Sequence, residues 1–118
     1  MEASYFVFGT NDMLLAVAFY DALFDGTGYK KVHAEGRMTL WVNGDNMFAL
    51  AEPYDGEPAT AGNGTMLGLK LDSPEELDRR YRRVLELGAP SEGEPGVRSG
   101  RYSAYFRDPD GNKLCLYV

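Results

Sequence analysis

Near the end of the chain, Asp108-Pro109-Asp110-Gly111 separates two short apolar runs, Tyr102 to Phe106 and Lys113 to Tyr117. Pro109 sets its own φ and Gly111 tolerates a positive one, so the segment is a tight turn. Two runs joined this closely form a hairpin of adjacent antiparallel strands. A small sheet ending this way has one apolar face that a helix must cover. Its other face needs a partner or lines a cavity.

The rest of the chain supplies the covering elements. Tyr5 to Phe8 is aromatic and β-branched and reads as a strand. Thr10, Asn11 and Asp12 follow, any of which can cap a helix. Leu15, Ala18, Phe19, Ala22 and Leu23 recur at helical spacing, and the stretch from Asp25 to Gly28 ends that helix. Three strands are expected next, over Tyr29 to Ala34, Arg37 to Val42 and Asn46 to Ala51, with a turn at Asn43-Gly44. Glu52 to Asn63 is a loop rich in Gly, Pro, Thr and Ala.

Thr65 to Leu71 is the next strand. Ser73-Pro74-Glu75-Glu76 then starts a helix, with Ser73 as cap, Pro74 in the first position and Glu76 placed for a capping box. Leu77, Tyr81, Val84 and Leu85 form its apolar stripe, and Gly88 stops it. Ala89 to Gly100 reads as a polar loop before the closing hairpin. The order is strand, helix, three strands, then strand, helix and at least two strands. It describes a single α+β domain over residues 1–118, built from a module of about residues 4–52 and another of about residues 64–118.

Twelve basic and eighteen acidic residues give a net charge of -6. That balance disfavours nucleic acid, whose binding needs phosphate neutralisation. Arg79, Arg80, Arg82 and Arg83 share a helix with Glu75, Glu76, Asp78 and Glu86 and read as a solvated, balanced face. No apolar run reaches membrane-spanning length and the N-terminus has no signal-like segment, so a cytoplasmic protein is expected. The lone Cys115 cannot form an intrachain disulfide.

Three stretches resemble the vicinal oxygen chelate superfamily, which includes glyoxalase I, bleomycin-resistance proteins and extradiol dioxygenases. They are Gly9-Thr10-Asn11-Asp12 with Ala18-Phe19-Tyr20-Asp21-Ala22-Leu23, then Asn63-Gly64-Thr65-Met66, and then Tyr105 through Lys113. The resemblance implies two βαβββ-type modules forming a curved mixed sheet around a cavity, commonly in a homodimer. It also locates the metal-ligand positions of the metal-dependent members. Tyr5 stands at the first-strand histidine, Met66 at the ligand opening the second module, and Cys115 at the closing-strand glutamate. Ala49 or Ala51 stands at a further carboxylate position, with Glu52 close by. A phenol, a thioether and a single thiol do not make a catalytic metal site, and His33 alone cannot replace one. No metal and no cofactor are expected.

Strand alternation selects what the cavity keeps. Tyr5 shares a face with Val7, Met66 with Gly68 and Lys70, Cys115 with Lys113 and Tyr117, and Ser103 with Tyr105. The expected ligand wall is Tyr5, Val7, Met66, Tyr105, Cys115 and Tyr117, with Trp41 a further candidate. Arg37 and Lys70 are candidate anion contacts. Cys115 reads as a small buried hydrophobe more readily than as a nucleophile, since no histidine partner is evident. The expected function is metal-independent binding of a small organic molecule. The alternatives are a lyase or isomerase of glyoxalase type, or an interaction subunit whose cavity is filled.

Overall fold

Each half of the chain lays one helix across one face of a four-stranded sheet. The computed structural model describes residues 1–118 as two units, Met1–Thr60 and Ala61–Val118. The first contains β1 (Tyr5–Gly9), α1 (Met13–Phe24), β2 (Lys30–Glu35), β3 (Met38–Asn43) and β4 (Asn46–Ala51). The second contains β5 (Met66–Lys70), α2 (Pro74–Glu86), β6 (Ser91–Arg98), β7 (Arg101–Arg107) and β8 (Lys113–Tyr117). The sheet orders are β1-β4-β3-β2 and β5-β8-β7-β6, and in each the first pair is parallel and the others antiparallel. Both units are therefore βαβββ modules with mixed sheets, the expected fold class. Neither helix is long and apolar enough to cross a membrane.

In the first unit Asp12 is the helix cap, accepting the Leu15 N–H at 3.1 Å. Ala16, Phe19, Tyr20, Leu23 and Phe24 are the buried positions of α1. They meet Phe8, Trp41 and Phe48, with Tyr20 and Phe48 ring centroids 4.6 Å apart. Such clustered rings dominate a small core through buried area and edge contacts. The buried stripe differs from the expected one, because Leu15 and Ala18 are exposed. Nearly every residue of α1 is apolar, so spacing alone does not distinguish its faces. Gly44, with φ +59°, and Asp45 form the β3–β4 turn, while Asn43 pairs with Asn46 inside the ladder. The turn thus lies one residue later than expected, as a positive φ at its first central position favours.

In the second unit Ser73 accepts the Glu76 N–H at 3.2 Å, so half of the expected capping box forms. The Glu76 carboxylate turns instead to Arg80, 3.0 Å away. Leu77, Tyr81 and Val84 are buried, whereas Leu85 is at the surface. Tyr102 donates to Asp78 of α2, which fixes Tyr102, Ala104 and Phe106 as the helix-facing side of β7. The segment expected to be a polar loop contains β6. This strand hides from sequence patterning because it is an edge, carries Pro95, and shifts register between Ser91 and Gly93 and again between Gly93 and Gly96.

The closing turn is held by one buried carboxylate. Asp108 Oδ1 accepts from the N–H groups of Asp110 and Asn112, each at 2.9 Å, and Oδ2 accepts from Asn112 Nδ2 at 2.9 Å. Gly111 has φ +87°, and its carbonyl accepts from Arg107 Nη1 at 3.0 Å. Asp108→Ala leaves several donors unpaired and is expected to lower unfolding free energy by about 3 kcal/mol in urea titration. Asp108→Asn keeps one acceptor oxygen and is expected to lose less. Equal stability of both variants with the parent chain would contradict this role.

Candidate functional site

Alternation along the strands leaves each sheet one face that its own helix does not cover. In the first unit Phe48, Leu50, Phe8 and Trp41 point toward α1. Tyr5, Val7, Met47 and Ala49 occupy the other face, Tyr5 pairing with Met47 and Val7 with Ala49. Tyr5 is 50% exposed and Val7 44%, so neither fills a core. Ala49 and Ala51 lie on this same face, Ala49 beside Val7 and Ala51 beside Gly9.

Trp41 does not belong with them. It is buried among Tyr20, Phe24 and Phe48, and its indole N–H donates to Asp21 Oδ1 at 3.0 Å. Its partner across the ladder is Phe48, so both rings take the helix side. The register that exposes Tyr5 and Val7 necessarily buries Trp41. Arg37 is also committed locally, donating to the Glu52 carbonyl at 2.8 Å and lying 5.5 Å from the Tyr54 ring centroid. His33 is exposed on the edge strand β2, with Nε2 3.1 Å from the Glu35 carbonyl.

In the second unit the open face brings together Met66, Tyr105, Cys115 and Tyr117. Cys115 pairs with Gly68 on β5 and with Tyr105 on β7, while Met66 pairs with Lys113 and Tyr117 with Lys70 and Ser103. Met66 is 48% exposed. A Cβ at Gly68 would lie 3.4 Å from Tyr117 Cε1, so the missing side chain lets that ring lean over β5.

Cations surround these rings. Arg98 lies 5.3 Å and Lys113 5.5 Å from the Tyr105 centroid, and Arg101 lies 5.3 Å from that of Tyr117. Arg98, Arg101 and Ser103 were not among the residues singled out from sequence as ligand contacts. The face of Arg98 is set by β6, a strand whose sequence has the pattern of a loop. Alternation alone puts Lys113 and Ser103 on this face, but no sequence pattern marks either for a role.

The donor set does not suit a resident metal ion. No group of three or more His, Cys, Asp or Glu side chains is arranged to hold one. Tyr5, Met66 and Cys115, the residues that the sequence resemblance aligns with metal-ligand positions, supply a phenol, a thioether and a buried thiol, a poor set for a hard or borderline divalent ion. Burial pushes the Cys115 thiol above its ordinary range, outweighing a hydrogen bond from Tyr105 and the nearby charges of Arg98 and Lys113, which pull it down. The neutral thiol is therefore the resting form, and the group is poorly suited to nucleophilic attack.

The family profile described as "Glyoxalase/Bleomycin resistance protein/Dioxygenase superfamily" matches residues 3–116. A glyoxalase/bleomycin resistance protein from Albidiferax ferrireducens T118 is 37% identical, with a TM-score of 0.89, covering 98% of this chain and 96% of its own. A hypothetical protein from S. aureus is 27% identical, with a TM-score of 0.81, covering 100% of this chain and 94% of its own. The fosfomycin resistance protein FosX from Mesorhizobium loti is 25% identical, with a TM-score of 0.76, covering 99% and 91% respectively. A comparison with curated proteins found no match.

At pH 8 Cys115 in the folded chain is expected to react with iodoacetamide at least about tenfold more slowly than a free cysteine, and at the ordinary rate once unfolded. Because the folded value is raised, this thiol's contribution to stability is full below the ordinary thiol range. It declines as pH rises through that range toward the folded value, where the unfolded chain ionises first. Alkylation of the folded chain as fast as the free amino acid would contradict the buried-thiol assignment.

Proposed function

We propose that this chain, which belongs to the Glyoxalase/Bleomycin resistance protein/Dioxygenase superfamily, uses the scaffold to bind a small organic molecule without a metal ion. The observation that carries this reading is the open face of the second unit. Tyr105, Cys115 and Tyr117 share one face with Met66, and the Met66 side chain stands half exposed rather than packed into a core. Flat rings beside a thioether and a neutral thiol form a surface for a small, flat, largely apolar ligand. Tyr5 and Val7 line the corresponding open face of the first unit. The half-exposure of Tyr5 and Met66 speaks against the filled-cavity alternative.

The reading includes a homodimer in the cytoplasm. Exposed apolar side chains such as Leu14, Leu15 and Val97 support an interface between copies. The buried free thiol of Cys115 suits a reducing compartment. Sedimentation equilibrium at micromolar protein is expected to give twice the 13.1 kDa chain mass; a clean monomer contradicts the dimer.

The binding claim has two expected outcomes. Within a panel of small aromatic compounds, neutral and anionic, at least one slows iodoacetamide alkylation of Cys115 in the folded chain. Met66→Trp then weakens that protection while changing unfolding free energy by no more than about 0.5 kcal/mol, as befits a half-exposed position. A filled core predicts the reverse, with overpacking that costs about 1–3 kcal/mol and no protection by any compound.

A further inference from the structure

The basic residues are unevenly distributed. Residues 1–60 contain three, Lys30, Lys31 and Arg37, against nine acidic residues, so the whole formal charge of -6 resides there. Residues 61–118 hold the other nine basic residues and nine acidic ones. Of these nine cations, Arg80, Arg83 and Arg107 have carboxylate partners. Arg79 and Arg82 lie on α2. The remaining four, Lys70, Arg98, Arg101 and Lys113, surround the open face, and none has a carboxylate within ion-pair distance. The Glu92 carboxylate, which feels the Lys113 charge, is already engaged by Arg107 Nε at 2.8 Å.

Arg98 is held in place without being neutralised. Nη1 donates to the Ser103 carbonyl at 2.7 Å and lies 3.5 Å from that of Gly96, while Nη2 donates to the Glu94 carbonyl at 2.7 Å. At most three of its five N–H groups are used, and every acceptor is neutral. Room for the guanidinium comes from Gly93. A Cβ there would meet both Arg98 Nη2 and Tyr105 Cδ2 at 3.1 Å, although the backbone of Gly93 does not need glycine. Stacking on a ring offsets much less of a cation's charge than a carboxylate does. On the same face the Ser103 hydroxyl is buried with no hydrogen-bond partner. A buried hydroxyl in this state keeps its O–H free to donate to an incoming acceptor.

We propose that the open face of the second unit carries an anion subsite, formed by Arg98 and Lys113 over Tyr105 beside the unpartnered Ser103 hydroxyl, that receives the carboxylate of a small flat organic acid. This specifies the ligand class and rests on the small-molecule reading of the same face. Two like charges on one ring repel each other, and a bound anion relieves that repulsion while forming charge-assisted hydrogen bonds. The ring of such an acid stacks beside Tyr105 and Tyr117, with Met66 and Cys115 as its apolar floor. Arg101 and Lys70 add longer-range attraction.

The test titrates the folded chain with benzoate and with its neutral isostere benzamide at low salt, following amide resonances. Benzoate is expected to bind at least about tenfold more tightly than benzamide, and to weaken with added salt while benzamide does not. Arg98→Gln and Lys113→Gln are each expected to weaken benzoate by roughly tenfold and leave benzamide unchanged. Gly93→Ala, which displaces the guanidinium, should act in the same direction. Arg98 also ties β6 down, so Lys113→Gln provides the variant that leaves those backbone contacts intact. Equal binding of the two probes, or benzoate binding unaffected by loss of either charge, overturns the anion subsite and leaves the small-molecule reading standing. Failure of both probes to bind overturns the anion subsite; if the wider aromatic panel also gives Cys115 no protection, the small-molecule reading falls with it.

Discussion

Strand alternation combined with a single covering helix governs what each module can present. A four-stranded sheet has two faces, and α1 or α2 covers one of them. Once Ala104, Phe106, Leu114 and Leu116 are committed to the covered side, Ser103, Tyr105, Cys115 and Tyr117 must point the other way. A one-residue slip in β7 or β8 would bury the tyrosines and expose the aliphatic core. The Asp108 clasp at the closing turn supports that register, because its three accepted hydrogen bonds hold the turn that brings Arg107 opposite Lys113. The chemistry of the open face therefore depends on a buried carboxylate that takes no part in it.

The two modules place their aromatic residues on opposite sides of the same architecture. The first concentrates its aromatic residues on the covered side, where Phe8, Tyr20, Phe24, Trp41 and Phe48 form a continuous cluster. The second places Tyr105 and Tyr117 on the open side and surrounds them with cations. Its glycines enable this arrangement. Gly68 admits the Tyr117 ring and Gly93 admits the Arg98 guanidinium, each through the missing side chain. A family scaffold does not determine function, and here the side chains that differ between the two modules fall at a handful of outward positions.

Much of the fold was legible in the sequence because local signals and tertiary packing agree. Asp12 and Ser73 cap their helices, Gly88 ends α2 with φ +94°, and the closing hairpin forms where Pro109 and Gly111 require it. Legibility failed where local pattern was weak or two faces looked alike. β6 is an edge strand interrupted by glycine and proline, so its pairing with β7 leaves no alternation to read. Residues of α1 are apolar almost all round, so spacing does not locate its buried stripe. The sequence of β3 marks a strand but not its register, so it leaves Trp41 open to either face; Phe48 opposite it fixes the covered side. Arg98 has no readable face without β6, since a register shift between Gly93 and Gly96 separates it from the residue that pairs with Tyr105.

The central claim is that the open face of the second unit is a ligand surface and the covered faces are core. Methyl-labelled methionine tests it most directly, because Met66 lies on the open face, whereas Met13 accepts from the buried Thr39 hydroxyl at 3.4 Å. Titration with benzoate is predicted to shift the Met66 methyl resonance along a saturable curve while that of Met13 stays fixed. A Met66 resonance that does not move at saturating benzoate, or that moves only together with Met13, would contradict the account.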